Sequence, residues 1–110
     1  MFAFSGISSL LRNEHNSRIH LLAAVIAVTA GIILKITFSE WCLLIIVIGL
    51  VFISELLNTS LETMADIIDP EWNEKIRIAK DYSAAAVLIA AFISVIVGGL
   101  IFIPRLISLI

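Results

Sequence analysis

The chain has 110 residues, 61% of them hydrophobic and 15% charged, with a net charge of −2. Soluble domains run near ~45–50% apolar and ~25% charged, so this composition excludes an ordinary soluble domain, and its charge gives no basis for nucleic-acid binding. It describes one small integral membrane domain, residues 1–110, in which a lone cysteine (Cys42) excludes a disulfide frame or a cysteine-built metal site.

Met1 to Leu11 alternates apolar residues with Ser and Gly. Two readings stay open, a short amphipathic helix on the membrane surface and a frayed terminus. No basic stretch precedes its apolar residues, so a signal-peptide pattern is not expected. A polar cluster follows: Glu14, His15, Asn16, Arg18 and His20. Glu14 and Arg18 are spaced to share a helix face, as an ion pair would.

Leu21 to Leu34 is the first apolar stretch, and with polar ends it predicts a membrane helix over residues 19–38. Lys35 to Glu40 is short enough only for a tight turn, so the next helix should run antiparallel. That helix is predicted over residues 41–68. It opens with WCLLIIVIGLVFIS, which carries no charge, and then meets Glu55. Glu55, Asn58, Thr59, Glu62 and Asp66 fall within a sector of roughly 100° on a helix. One polar stripe therefore leaves the lipid, with Glu55 at its membrane end. An ionisable residue at that depth is costly and suggests function.

The connection from Asp66 to Lys80 is polar and contains Asp69-Pro70, a turn or helix-start signal. The third helix is predicted over residues 79–103. It begins at Lys80-Asp81, runs through the uncharged stretch Tyr82 to Ile103, and is closed by Pro104. Ser83 and Ala84 to Ala86 are small and would let helices pack closely, pressing Lys80 and Asp81 against the stripe.

Basic residues set the orientation. Arg12, Arg18, Lys75, Arg77 and Lys80 lie on the N-terminal side of a three-span topology, and Lys35 and Arg105 on the other. The positive-inside rule places the N-terminus and the second loop in the cytoplasm. The polar stripe then faces ATP and Mg²⁺.

Glu14 and Glu62 are two carboxylates from different segments. Such a pair suits Mg²⁺, which takes oxygen ligands together with substrate phosphates. A lysine steadies phosphate charge. A carboxylate half-immersed in lipid is suited to take a proton from a lipid hydroxyl. Metal, phosphate clamp and base are the parts that phosphoryl transfer needs. Spacing alone leaves rivals open: a small proton-coupled transporter using Glu55, and a structural membrane subunit.

ELLNTSLETMAD, Glu55 to Asp66, resembles the E-x-x-N-[ST]-[AS]-x-E-x-x-x-D signature of the prokaryotic diacylglycerol kinase family. Lys80-Asp81 followed by SAAAV resembles that family's K-D-x-x-[SA]-A-A-V element, and Glu14 with Arg18 resembles its N-terminal element. The resemblance runs from about Ser5 to Ile103. It implies an all-α membrane kinase with three transmembrane helices, an N-terminal surface helix and a homotrimeric assembly. The activity it implies moves the ATP γ-phosphoryl group to a membrane lipid alcohol, in a bacterial inner membrane. By motif position Glu55 would be the proton acceptor, supported by Asn58. Glu14 and Glu62 would hold Mg²⁺. Lys80, Asp81, Glu71, Trp72 and Asn73 would meet the nucleotide, and Arg18, Glu55 and Ser83 the lipid. The stretch Asn16 to His20 is more similar to the undecaprenol kinase branch, and Ser83 stands where many members have Gly.

Oligomerisation is expected on physical grounds as well. Three helices should not easily shield Glu55 and Asn58 from lipid, and neighbouring chains would.

Overall fold

A computed structural model describes residues 2–68 and 73–110. Four helices make up these residues: α1 (Phe2–Asn13), α2 (His15–Leu34), α3 (Phe38–Ile68) and α4 (Glu74–Ser108). The last three are each long and apolar enough to cross a membrane. The predicted all-helical architecture with three long apolar helices is thus the observed one. Asp69, Pro70, Glu71 and Trp72 lie outside the described residues.

α3 and α4 form an antiparallel hairpin. Asp66 meets Lys80 at one end and Glu40 meets Arg105 at the other. At ~1.5 Å per residue both helices exceed a hydrocarbon core of ~30 Å, so their polar ends project. The molecule measures 55 Å along its longest axis. α2 runs antiparallel to α3 and packs against the hairpin through Ala27, which joins Ile36, Trp41, Leu44, Ile48, Val97, Ile101 and Phe102 in one apolar cluster. Most large apolar side chains point outward instead, among them Ile32, Ile45, Ile46, Leu88, Phe92 and Leu100. An apolar surface along the helices suits lipid contact rather than water.

The helix ends depart from those expected of hydropathy. α2 begins at His15, because Glu14 has extended backbone (φ −104°, ψ 111°) and ends α1. α2 stops at Leu34 rather than running on toward residue 38. Lys35 adopts the left-handed conformation (φ 54°, ψ 55°), and the amides of Lys35 and Ile36 donate to the carbonyls of Ile32 and Gly31. This pair of reverse bonds satisfies carbonyls that the helix end leaves open. α3 begins at Phe38 because Thr37 and Glu40 form a capping box. Thr37 N donates to Glu40 Oε1 at 2.9 Å, and Glu40 N donates to Thr37 Oγ1 at 3.2 Å. The predicted tight turn is therefore two interlocked helix caps. Gly31 makes the turn compact: a Cβ there would sit 2.9 Å from Trp41 Cη2.

α4 starts at Glu74, earlier than its apolar stretch, because Asn73 caps it. The Asn73 side chain accepts from the amides of Lys75 and Ile76 at 3.0 and 3.3 Å. Pro104 does not close the helix as expected; α4 continues through it to Ser108. Proline in a helix interior removes one backbone donor and crowds the preceding turn. Beyond it, Arg105 reaches Glu40 and the carbonyl of Leu34, which ties the last turn to both neighbouring helices.

Candidate active site

On α3 the buried residues include Leu44, Val47, Val51 and Glu55. Their spacing of three or four residues makes a single core-facing stripe, and Glu55 occupies its last place. The carboxylate therefore points inward, where the repeat would put an aliphatic side chain. Glu55 is 5% exposed. Burying a charge this far is tolerated only with partners.

Both partners come from the first turns of α2. Ser17, 1% exposed, donates its hydroxyl to Glu55 Oε2. His20 Nε2 lies 3.0 Å from Glu55 Oε1. The His20 contact is close enough for an ion pair, but it lacks hydrogen-bond alignment, and Oε1 is left without a donor. Asn58 Oδ1, one turn further along α3, is likewise a buried acceptor without a donor among the described residues. Buried acceptors are nearly always satisfied, so two together mark a site.

They border a small polar cavity of about 60 Å³ lined by Glu14, Asn16, Ser17, Glu55, Asn58, Thr59 and Val87. Beside it lies a much larger apolar cavity of about 470 Å³ between α2 and the hairpin. Alanines of α2 (Ala23, Ala24, Ala27, Ala30), Val47 and Val51 of α3, and Val95 and Gly98 of α4 line it, and His20 forms part of its wall.

Glu14, Glu55, Asn58 and Thr59 thus surround one space, as the polar stripe and N-terminal cluster suggested. Glu62 does not line that space. It lies exposed two turns beyond Glu55. Glu14 and Arg18 form no ion pair among the described residues; Glu14 sits outside the helix that carries Arg18. Lys80 does press against the stripe, donating to Asp66 at 2.8 Å. Asp81 instead turns back to Arg77 of its own helix at 2.7 Å. Ser83 is half-buried, Arg18 is exposed, and Asn73 is engaged as a helix cap. Glu71 and Trp72 fall outside the described residues.

The expectation that three helices do not easily shield Glu55 is corrected for this residue, which is 5% exposed. One chain encloses this carboxylate, because Ser17 and His20 cover it from α2. Ser17 was the unexpected member. Its only sequence signal is the i, i+3 spacing to His20, which puts both on one face of α2.

Among the described carboxylates, the side chains of Glu14 and Glu62 make no hydrogen bond or ion pair, whereas Glu40, Glu55, Asp66, Glu74 and Asp81 are all engaged. No group of three or more metal-ligating side chains forms among the described residues. Glu14 borders the polar cavity and Glu62 does not, so the two are not brought together within this one chain.

Three long apolar helices around a buried carboxylate define a multi-pass membrane protein with an acid at its core. The chain belongs to the prokaryotic diacylglycerol kinase family, a class of lipid kinase, whose family model matches residues 1–102. It is 39% identical over 109 residues to the diacylglycerol kinase of Synechocystis sp., covering 98% of this chain and 62% of that protein. It is 38% identical over 101 residues to the undecaprenol kinase of Bacillus subtilis, covering 92% of this chain and 82% of that one. It is 35% identical over 95 residues to the diacylglycerol kinase of Escherichia coli K12, covering 86% and 78% respectively. This membership argues against the transporter reading of Glu55.

Proposed function

We propose that the chain transfers the γ-phosphoryl group of ATP, with Mg²⁺, to the hydroxyl of a membrane lipid alcohol, diacylglycerol or undecaprenol. The observation that carries this reading is the buried Glu55 carboxylate, with one oxygen lacking a donor, in the wall of the polar cavity and 3.0 Å from His20, which walls the apolar one. A base for a lipid hydroxyl needs that position, because its substrate comes from the hydrocarbon and its phosphoryl donor from water.

Glu55 accepts the proton of the lipid hydroxyl as that oxygen attacks phosphorus. The depth and enclosure of Glu55 favour proton transfer over exchange with bulk water. Asn58 supports the same space. Glu14 and Glu62 would hold Mg²⁺, which would supply positive charge against the phosphates. Lys80, with Asp81 and Asn73, meets the nucleotide, and Glu71 and Trp72 are assigned there by motif position. Arg18 and Ser83 flank the lipid.

We assign the chain to a bacterial inner membrane, with the N-terminus and the α3–α4 connection cytoplasmic, and α1 on the membrane surface. A homotrimer is what the family resemblance implies, and an exposed Glu62 outside the cavity of its own chain is in keeping with a site shared between chains. Two related enzymes named for different lipids leave both alcohols in play.

The test is direct. Membranes carrying the protein are incubated with labelled ATP, Mg²⁺ and a panel of diacylglycerol, undecaprenol and related alcohols. One or more labelled lipid phosphates are expected. No labelled lipid from folded protein would overturn the reading.

A further inference from the structure

We propose that His20 carries the proton away from Glu55 after each turnover, and that Ser17 is a positioning residue fixing which carboxylate oxygen does the work. This rests on the reading of Glu55 as the base. A base that gains a proton in every cycle must lose it before the next. For a surface carboxylate, water does this without help. Glu55 is largely enclosed: its side chain is 6% exposed and meets only a polar cavity of about 60 Å³.

The two oxygens of Glu55 are unequal. Oε2 is occupied by the hydroxyl of Ser17, itself almost wholly buried. Oε1 has no donor, so it is the atom able to take a proton. His20 Nε2 lies 3.0 Å from that same atom. The His20 side chain keeps 27% exposure. It walls the apolar cavity, while Ser17 and Glu55 wall the polar one. His20 therefore touches the buried carboxylate on one side, forms part of the apolar cavity wall, and keeps part of its ring uncovered by protein. Imidazole is the side chain that both accepts and releases protons near neutral pH.

The steps balance. The lipid oxygen bonds to phosphorus, the bond from phosphorus to the ADP leaving oxygen breaks, and the hydroxyl proton passes to Glu55 Oε1. The resulting carboxylic acid gives its proton to Nε2 of neutral His20. The imidazolium loses a proton to water, and carboxylate and neutral imidazole are restored. Ser17 keeps the carboxylate from rotating, so the oxygen that receives the proton is the one facing His20.

A merely structural His20 would hold Glu55 in place, and a side chain of similar reach would substitute for it. The experiment compares His20→Ala, His20→Gln, Ser17→Ala and Glu55→Gln in steady-state assays with saturating lipid and ATP, with and without added imidazole. His20→Ala is expected to lower kcat by about tenfold or more with KM for ATP unchanged. Imidazole in solution should restore much of that loss. His20→Gln should stay low and gain nothing from imidazole. Ser17→Ala should lower kcat without imidazole rescue. Full kcat in His20→Gln overturns the proposal, as does a folded His20→Ala protein that imidazole leaves unchanged. If His20→Ala does not fold, His20→Gln decides. An active Glu55→Gln protein would instead sink the base assignment, while an inactive one beside a fully active His20→Gln defeats only the role of His20.

Discussion

Asp66 and Lys80 meet across the α3–α4 hairpin at 2.8 Å, beyond the apolar parts of both helices. The lysine side chain is 36% exposed and the aspartate 67%, so water screens the pair. Exposed ion pairs contribute little to stability. Lys80→Ala is therefore expected to leave thermal unfolding in detergent nearly unchanged. On the proposed role at the nucleotide, it should nevertheless lower kcat/KM for ATP by roughly tenfold or more. A large fall in melting temperature with ATP kinetics intact would reassign Lys80 as a structural residue.

Glu55→Gln keeps the shape of the side chain and removes its basicity. Turnover should be abolished with little loss of ATP binding. Glu62→Gln should weaken Mg·ATP binding as well as turnover, because the exposed Glu62 carboxylate is free to take a cation. Nucleotide binding measured by calorimetry across a Mg²⁺ series separates the two. Equal nucleotide affinity in both variants would remove Glu62 from the metal site.

Gly31 lies under the indole of Trp41. A Cβ at this position would stand 2.9 Å from Trp41 Cη2 and 3.0 Å from Ile36 Cδ1. Gly31→Ala is expected to destabilise by about 1–3 kcal/mol, the usual range for overpacking. Gly49 and Gly98 have no such neighbour, so alanine at either should be tolerated. Unfolding of the three variants in mixed micelles checks the ranking.

Lys35 holds the left-handed conformation that ends α2. A side chain there costs roughly 1–2 kcal/mol, and the added freedom of an unfolded glycine offsets part of the gain from removing it. Lys35→Gly should raise stability by about 0.5–1 kcal/mol without changing activity. A loss of stability would mean that the Lys35 side chain has a role that its cap geometry does not account for.

Much of this fold was legible in the chain because hydropathy marks lipid-crossing helices strongly. The polar stripe from Glu55 to Asp66 was legible for the same reason, as charge stands out against an apolar background. The ends were harder. α4 runs past Pro104 because Arg105 is tied to Glu40 and Leu34, contacts that come from other helices. The Thr37-x-x-Glu40 capping box is a local signal and was open to view. The break at Glu14 is not, since glutamate carries no strong preference for extended backbone. Ser17 illustrates the deeper limit. A serine in a polar string looks like a solvated residue until α3 brings Glu55 against it. Asp81 shows the converse, for its motif neighbour faces α3 while Asp81 turns to Arg77.

The capping box at Thr37 and Glu40 also sets a length. From Glu40, pinned by Arg105, to Glu55 is about 22 Å of helix. A hydrocarbon core is ~30 Å thick. With the Glu40–Arg105 pair held at one face of the bilayer, Glu55 stops about 8 Å short of the other. α3 acts as a ruler, measured from the far leaflet. The immersion of the carboxylate is then a property shared between protein and membrane: a thicker bilayer sinks it and a thinner one lifts it toward water. On the proposed role of Glu55 as the base, acyl-chain length in the surrounding lipid would act on catalysis without touching the site.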